Sequence, residues 1–437
     1  MNPTRIKHIL FKERVVFLLF AFFLLRLYRL QGQTATHWVD TAGYLKLDFS
    51  GHSARLWPVP LIYELFESDT QRIVFHVVFA AFAWGFCAVV IAVFARKFSM
   101  EAAFGVLLLG STDQVSLWDT SLLSESIGTS LIVLTIAAAI WVIHEQNYWS
   151  VGILCVAGSV TAMTRPPQVP LLFLLIVLLL WVYIRGRNWR YALFLVALIP
   201  LATWAVQMVR NNRSTSELNF YMMLDERIMH NEERREWFVA NGMPVSEEII
   251  AATGFGDRAD VTAELYEFMP LPEGQPPNAI MIAGGIELAK WVRESGWSTY
   301  SKFLLTHPND AIKIATDQNY SALNAGPYDL LPTSAVMLLP DWLWGGWQWF
   351  AIPSITLAAV LGLTRRLDRS LVKMLLAMLV CVPWFFLVVH AAGMEHPRHA
   401  FGVAVTVRLF GFAFIVYAVE RLVELRRSTK EPHDQLA

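Results

Sequence analysis

The sequence predicts an all-α polytopic membrane protein, a bundle of about ten transmembrane helices with helical loops outside the membrane. Of its 437 residues, 55% are hydrophobic and 16% are charged. A soluble chain of this length would not stay in solution with so little polar surface. The formal net charge is −1, so nothing in the charge balance indicates a nucleic-acid partner. Membrane lipid is therefore the expected surrounding of most of the chain.

Ten apolar stretches approach or reach the length that crosses a bilayer. They occupy residues 15–31, 73–95, 101–117, 122–143, 150–164, 168–184, 190–209, 346–364, 371–391 and 400–420. The first follows a basic N-terminal segment but precedes no small-residue cleavage site, so we interpret it as an uncleaved span. The three cysteines all lie inside apolar stretches and are expected to pack as small hydrophobic residues.

The positions of lysine and arginine predict the orientation. If the N-terminus is cytoplasmic, seventeen basic residues flank the spans on the inner side and five lie in the short outer loops. Inner loops are enriched in basic residues, and this bias appears only with an even number of spans. Both termini are then cytoplasmic.

This topology divides the chain into three parts. Residues 1–209 form an N-terminal module of seven spans, whose first external loop is 31–72. Residues 210–345 form an external helical subdomain, and residues 346–437 hold three further spans and a cytoplasmic tail. No internal repeat of the kind that marks many transporters is evident.

Two acids in the first external loop are candidates for chemistry. Asp40 lies about ten residues after the first span, where a carboxylate can take a proton from a hydroxyl or hold a metal. It can equally be a helix N-cap, for which aspartate is favoured. Asp48 is a weaker candidate for the same roles.

Two further charges lie at span ends. Glu125 opens the fourth span, where a carboxylate is costly unless water, a metal or a cation accompanies it; a stabilised acid at a helix N-terminus is the alternative. Arg165 stands alone in a short outer loop before two prolines that stiffen the backbone. A guanidinium held in this way suits a phosphate or a carboxylate, although an interfacial anchor is also possible.

The last outer loop is dense in ionisable side chains. Glu395, Arg398 and His399 lie within five residues between two apolar stretches. Arg408 follows two to three turns into the last span and is expected to need an internal acid or anion as its partner.

On the predicted topology these residues share one membrane surface. A base together with several guanidiniums at the depth of lipid headgroups is what group transfer from a lipid phosphate requires. Asp40 is the candidate base, and the phosphate-binding candidates are Arg55, Arg165, Arg398, His399 and Arg408. Glu125, Asp48 and Glu395 are candidates for holding an acceptor or a divalent metal that would help neutralise the leaving phosphate.

Several motifs occur in a fixed order along the chain. They are Asp40-Thr41-Ala42-Gly43-Tyr44, Arg55-Leu56-Trp57-Pro58-Val59-Pro60, Leu123-Ser124-Glu125-Ser126, Thr164-Arg165-Pro166 and Pro397-Arg398-His399. In this order they resemble the C-type membrane glycosyltransferase (GT-C) superfamily, which includes protein O-mannosyltransferases and the lipid A aminoarabinose transferase.

The resemblance implies a polyprenyl-phosphate-linked sugar as the donor, inverting transfer at the external face and Asp40 as the catalytic base. The acceptor would be a lipid, a glycan or a protein, and the expected location is the bacterial inner membrane with the site facing the periplasm or exterior. The resemblance does not identify the sugar.

Two other functions remain open. A glycan ligase of the O-antigen type would move a whole glycan and would use Arg398 and His399 rather than a carboxylate. A lipid flippase or transporter would instead place ionisable residues along a path through the membrane, and Arg408 is the main residue of that kind.

Overall fold

A computed structural model describes residues 15–38, 40–48, 55–171, 213–253, 279–324, 339–393 and 395–428, with a few single positions between 172 and 212. About 81% of these residues are helical. Among them no β-strand is found, and the one extended pairing is an isolated parallel bridge between Thr36 and Ser121. The prediction of an all-α protein is confirmed for this part of the chain.

Five helices in the described part are long and apolar enough to cross a membrane. They are Asp69–Phe94, Glu125–His144, Asp341–Leu363, Arg369–Ala391 and His396–Glu424. The third begins with a single 3-10 turn before the α-helix Gln348–Leu363, and the fourth consists of Arg369–Leu379 and Cys381–Ala391, which meet at Val380. These helices indicate a membrane protein.

The predicted number of ten spans is not what the structure shows. Three of the predicted spans are shorter helices, Val15–Arg29, Ser99–Gly110 and Tyr148–Thr164. The twelve residues of Ser99–Gly110 extend only about 18 Å, well short of a hydrocarbon core of about 30 Å. The predicted spans at 168–184 and 190–209 are described only in part, and most of their residues lie outside the described ones.

The third predicted span, 101–117, extends beyond the observed helix, which ends at Gly110. The chain after Gly110 shows why. Thr112 has extended backbone angles, and the chain then turns through a short helix, Asp113–Ser116, and a 3-10 turn, Leu117–Thr120. These residues are largely buried although many are polar, Asp113, Gln114 and Asp119 among them. The predicted span at 101–117 ran past the polar residues 111–114, where the helix ends.

Two helices form the centre of the bundle. Glu125–His144 and the final helix, His396–Ser428, are mostly buried and pack against each other and against Asp69–Phe94. By contrast, Asp341–Leu363 and Arg369–Ala391 are mostly exposed, with apolar side chains such as Ile352 and Val382 on the surface. The two central helices both begin at the same end of the bundle.

The other end of the bundle holds a separate group of paired charges. Arg421 bonds Asp368 at 3.0 Å and Glu424 at 3.0 Å, and the backbone N–H of Lys97 donates to Glu420. A cavity of about 100 Å³ is lined by His144, Asp368, Glu420, Arg421 and Glu424. Both ends of the bundle are therefore polar, but they are built from different residues.

The segment after residue 212 forms helices with a hydrophobic core of their own. Its α-helices are Arg213–Met223, Glu232–Ala240, Glu247–Ala251, Ala279–Trp291, Trp297–Thr306 and Pro308–Asn324, the fourth kinked at Gly285, and π-helical turns cover Leu224–Met229 and Val292–Gly296. Aromatic residues such as Phe220, Phe238 and Phe303 fill this second core. It packs onto the bundle at Val389, and the helix Pro308–Asn324 lies against the final helix.

Two further short helices lie in the first loop, between the first helix and Asp69–Phe94. Thr41–Tyr44 and Pro58–Tyr63 flank a gap at residues 49–54, which the structure does not describe. The second has prolines in its first turn, where the missing N–H costs no hydrogen bond. These helices rest on the end of the bundle at which the two central helices begin.

Candidate functional site

Asp40 occupies the N-cap position of Thr41–Tyr44, but its carboxylate does not cap that helix. One of its oxygens, Oδ1, accepts a hydrogen bond from Arg55, and the other, Oδ2, accepts one from Nη2 of Arg398 at 2.9 Å. The capping interpretation of this residue is therefore wrong. The carboxylate is held between two guanidiniums from distant parts of the chain.

Glu125 is the first residue of a central helix and is 1% exposed. Its Oε1 accepts from Nη2 of Arg165 at 3.0 Å and also from Nε of Arg398. A buried carboxylate at a membrane helix end needs such partners because an isolated charge is strongly disfavoured there.

Arg398 lies in the first turn of the final helix and reaches three carboxylates. Besides Asp40 and Glu125, it donates through Nη1 to Glu395 at 2.8 Å. Its own backbone carbonyl accepts from Nη1 of Arg165 at 3.1 Å. Every guanidinium nitrogen of Arg398 is thus engaged with an acid.

These contacts form one connected cluster, which we name the ion-pair network. Its members are Asp40, Arg55, Glu125, Arg165, Glu395 and Arg398. They come from the first loop, a central helix, the loop after Tyr148–Thr164 and the last loop. Three guanidiniums meet three carboxylates, so the formal charge of the network is zero.

Two residues that the sequence analysis did not select support the network. The Tyr44 ring lies 5.1 Å from the Arg55 guanidinium, and its hydroxyl is 2.9 Å from the Ser124 hydroxyl. Tyr44 follows Asp40 by four residues, so helical spacing alone placed it on the same face. The contact between the Tyr44 and Ser124 hydroxyls joins the first loop to the start of the central helix Glu125–His144.

The backbone beneath Arg55 is tightly packed. A Cβ added to Gly43 would lie 3.0 Å from Cγ of Arg55. Glycine at this position therefore leaves space for the arginine stem.

Tyr63, just outside the spans, lies under this loop and is 1% exposed. Its hydroxyl donates to the Leu123 carbonyl at 2.8 Å and lies 3.0 Å from Nε2 of His76. Burial, with the nearby Tyr44 and Glu125, raises the pKa of the Tyr63 phenol well above its usual range. The phenol stays protonated and fixes the backbone immediately before Glu125.

Three of the predicted site residues have other surroundings. His399 lies next to Arg398, and its Nδ1 is buried without a hydrogen-bond partner. Arg408 lies apart from the network: it donates to the carbonyls of Trp344, Ala404 and Gly345 at 3.0, 3.0 and 2.6 Å. Asp48 is partly buried and is the last residue described before the gap at 49–54.

Arg408 thus corrects one sequence-based expectation. We expected an acid or anion as its partner, but its guanidinium is bound by carbonyls and lies 3.9 Å from the Trp344 ring centre. Carbonyl oxygens and an aromatic face supply the negative potential that a buried guanidinium requires.

The carboxylates as arranged do not fit a metal centre. Within the described ranges, no group of three or more His, Cys, Asp or Glu side chains is placed to hold a metal ion. Glu125 and Glu395 both direct an oxygen to the same guanidinium, that of Arg398. A cation between them would have to occupy the position of that guanidinium.

Comparison of the chain with protein-family models, with curated proteins and with solved structures found no match.

Proposed function

We propose that this chain is a GT-C-like membrane glycosyltransferase. It moves a sugar from a polyprenyl-phosphate-linked donor to a lipid, glycan or protein acceptor at the non-cytoplasmic face, with inversion. The observation that carries the proposal is the convergence of Arg55, Arg165 and Arg398 on Asp40 and Glu125 at one end of the bundle. The order of the sequence motifs supports it.

The network combines the two groups that such a transfer requires. The acceptor hydroxyl attacks the anomeric carbon from the face opposite the phosphate and loses its proton to Asp40. The bond between that carbon and the phosphate oxygen breaks, and its electron pair stays on the phosphate. Polyprenyl phosphate leaves with one more negative charge, which guanidiniums stabilise.

The same geometry requires an exchange of partners when the donor binds. Both oxygens of Asp40 accept from guanidiniums, and these ion pairs favour the charged carboxylate over the protonated one, so opening an ion pair makes Asp40 a stronger base. A donor phosphate competes with the carboxylates for these guanidiniums. Donor binding therefore frees the base, and without donor Asp40 stays bound.

The proposed location is the bacterial inner membrane, with both termini cytoplasmic and the network facing the periplasm or exterior. The distribution of basic residues supports this orientation. In the proposal the segment 210–345 is the external subdomain and lies on the side of the network.

A glycan ligase is the second candidate, and one observation favours it. His399 adjoins Arg398 and has a buried nitrogen without a hydrogen-bond partner, as a group reserved for substrate would. A flippase gains less support, because Arg408, the deepest charge on which it would rely, is bound by three carbonyls.

Binding of undecaprenyl phosphate to the protein in nanodiscs tests the leading proposal. We expect saturable binding that Arg165→Ala weakens by about 10- to 150-fold, since a charged hydrogen bond contributes about 1.5–3 kcal/mol. Arg421→Gln is the matched control, because Arg421 also pairs with carboxylates but lies at the opposite end of the bundle. An affinity unchanged by Arg165→Ala in folded protein would refute the role of this arginine.

A further inference from the structure

The last loop, between Ala391 and His396, places Glu395 in the ion-pair network. Its backbone is strained at Glu395, so other parts of the protein must hold its conformation. Glu395 has a φ of +54°, a backbone conformation that costs energy for a residue with a side chain. Its carbonyl accepts from the backbone N–H groups of Arg398 and His399 at 2.9 and 3.0 Å, which begins the final helix. The position of Arg398 therefore depends on the conformation of this loop.

The loop is in direct contact with the second core. A Cβ added to Gly393 would lie 2.5 Å from the Asn219 carbonyl oxygen and 2.6 Å from Cβ of Met222. Only glycine allows so close an approach, so the loop and the helix Arg213–Met223 are packed backbone to backbone.

Arg227 joins this helical segment to both sides of Glu395. It lies in the π-helical turn Leu224–Met229 and is 5% exposed. Its Nη2 donates to the Ala392 carbonyl at 2.6 Å and also to Nε2 of His396. The guanidinium therefore bridges the residues that precede and follow the strained position.

A second contact holds the helix end that enters the loop. Nε2 of His390 donates to the Ala311 carbonyl at 3.1 Å, so Nδ1 accepts from the Tyr300 hydroxyl at 2.8 Å. Burial raises the pKa of the Tyr300 phenol, against the opposing charge of Arg227, so the hydroxyl keeps its proton. Nη1 of Arg227 lies 3.5 Å from the same hydroxyl.

From this geometry we propose that Arg227 is a positioning residue for the ion-pair network: it holds the last loop so that Arg398 meets Asp40 and Glu125. Within the described residues, Arg227 bonds the Ala392 carbonyl and the His396 ring of the last loop and bonds no member of the ion-pair network itself. The proposal rests on the proposed function for what the network binds. It extends that function by assigning a role to the segment around residues 213–324.

Two readouts on the full-length protein in nanodiscs test this role. Hydrogen exchange of the amides at 392–399 reports the loop, and the dissociation constant for undecaprenyl phosphate reports the network. For Arg227→Met we expect loop exchange to rise at least about tenfold and affinity to fall about tenfold. Arg227→Lys, which can still donate to Ala392, should recover part of both.

Arg235→Gln is the matched control, because Arg235 also donates to a carbonyl of the same segment, that of Met229, but does not contact the loop. It should leave both readouts at wild-type values. If Arg227→Met does not fold, Arg227→Lys, which keeps a donor for Ala392, decides the role by itself: it should still raise loop exchange and lower affinity, each by less than about tenfold.

The outcomes separate the two proposals. Unchanged loop exchange in Arg227→Met, or faster exchange with unchanged affinity, would overturn the positioning role. If the wild-type protein does not bind undecaprenyl phosphate, the proposed function fails, and loop exchange still decides whether Arg227 holds the loop.

Discussion

Arg26 and Arg29 lie near the C-terminal end of the first helix, where long basic side chains usually extend to the membrane surface. The structure shows them inside the protein instead. Arg26 is 1% exposed and pairs with Asp119 at 2.7 Å, and Arg29 pairs with Asp113 at 2.6 Å. Each of these two acids therefore neutralises a buried guanidinium.

This pairing predicts a large and non-additive loss of stability. Arg26→Met leaves Asp119 buried with its charge unmatched, so we expect the free energy of unfolding to fall by about 3–5 kcal/mol. The double variant Arg26→Met, Asp119→Leu should lose less than the sum of the two single variants. Denaturant titration in detergent measures this, and additive losses would contradict a direct ion pair.

Asp40 gives the sharpest prediction at the scale of a residue. Asp40→Asn removes the base, so transfer should fall about 10²- to 10⁴-fold. It also removes a competitor for Arg55 and Arg398, so undecaprenyl phosphate should bind more tightly than to the wild type. Turnover is measured as undecaprenyl phosphate released from a panel of its sugar derivatives.

Asp69→Asn is the control for this variant, because Asp69 pairs with Arg72 and His37 in the same outer region but lies outside the network. Weaker phosphate binding in Asp40→Asn would show that Asp40 does not compete with phosphate. Retained turnover would remove it from the role of base.

At the scale of elements, the ion-pair network depends on how loops and helix ends that are distant in sequence pack against each other. The apolar stretches at 122–143 and 150–164 predicted the helices Glu125–His144 and Tyr148–Thr164 to within a few residues. They did not predict the break at Val380, which lies inside an apolar stretch, or the turns after Gly110, whose acids Asp113 and Asp119 are buried. Those acids pair with Arg29 and Arg26, and such contacts between distant parts of the chain cannot be read from local composition.

Gly43 tests how closely the first loop must fit. Gly43→Ala places a methyl group 3.0 Å from Cγ of Arg55, so the arginine must shift by a few tenths of an ångström. We expect affinity for undecaprenyl phosphate to fall several-fold while the fold is retained. Gly362→Ala is the control, because no atom lies within 4 Å of the added methyl group; equal effects of both variants would contradict this account.

At the scale of the whole molecule, the sequence predicted the class of the protein and the members of the site better than their partners. Hydropathy is local, so an all-α membrane protein followed from composition. Glu125 was a candidate because a charge at a span end is costly, and Asp40, Arg55, Arg165, Glu395 and Arg398 were candidates because they fall in predicted outer loops and match the ordered motifs. That Arg398 would bond three acids, and that Arg227 would hold its loop, depends on contacts between residues far apart in the chain.

The orientation in the membrane is the last prediction and can be measured directly. Cys87, Cys155 and Cys381 are buried, so the wild-type protein should react little with a maleimide that does not cross membranes. Ser301→Cys lies on the exposed face of Trp297–Thr306 and should be labelled in intact cells. Thr364→Cys, exposed after the helix Gln348–Leu363, should be labelled only once the membrane is permeabilised. The opposite pattern would place the ion-pair network on the cytoplasmic side, where a donor translocated to the outer leaflet could not reach it.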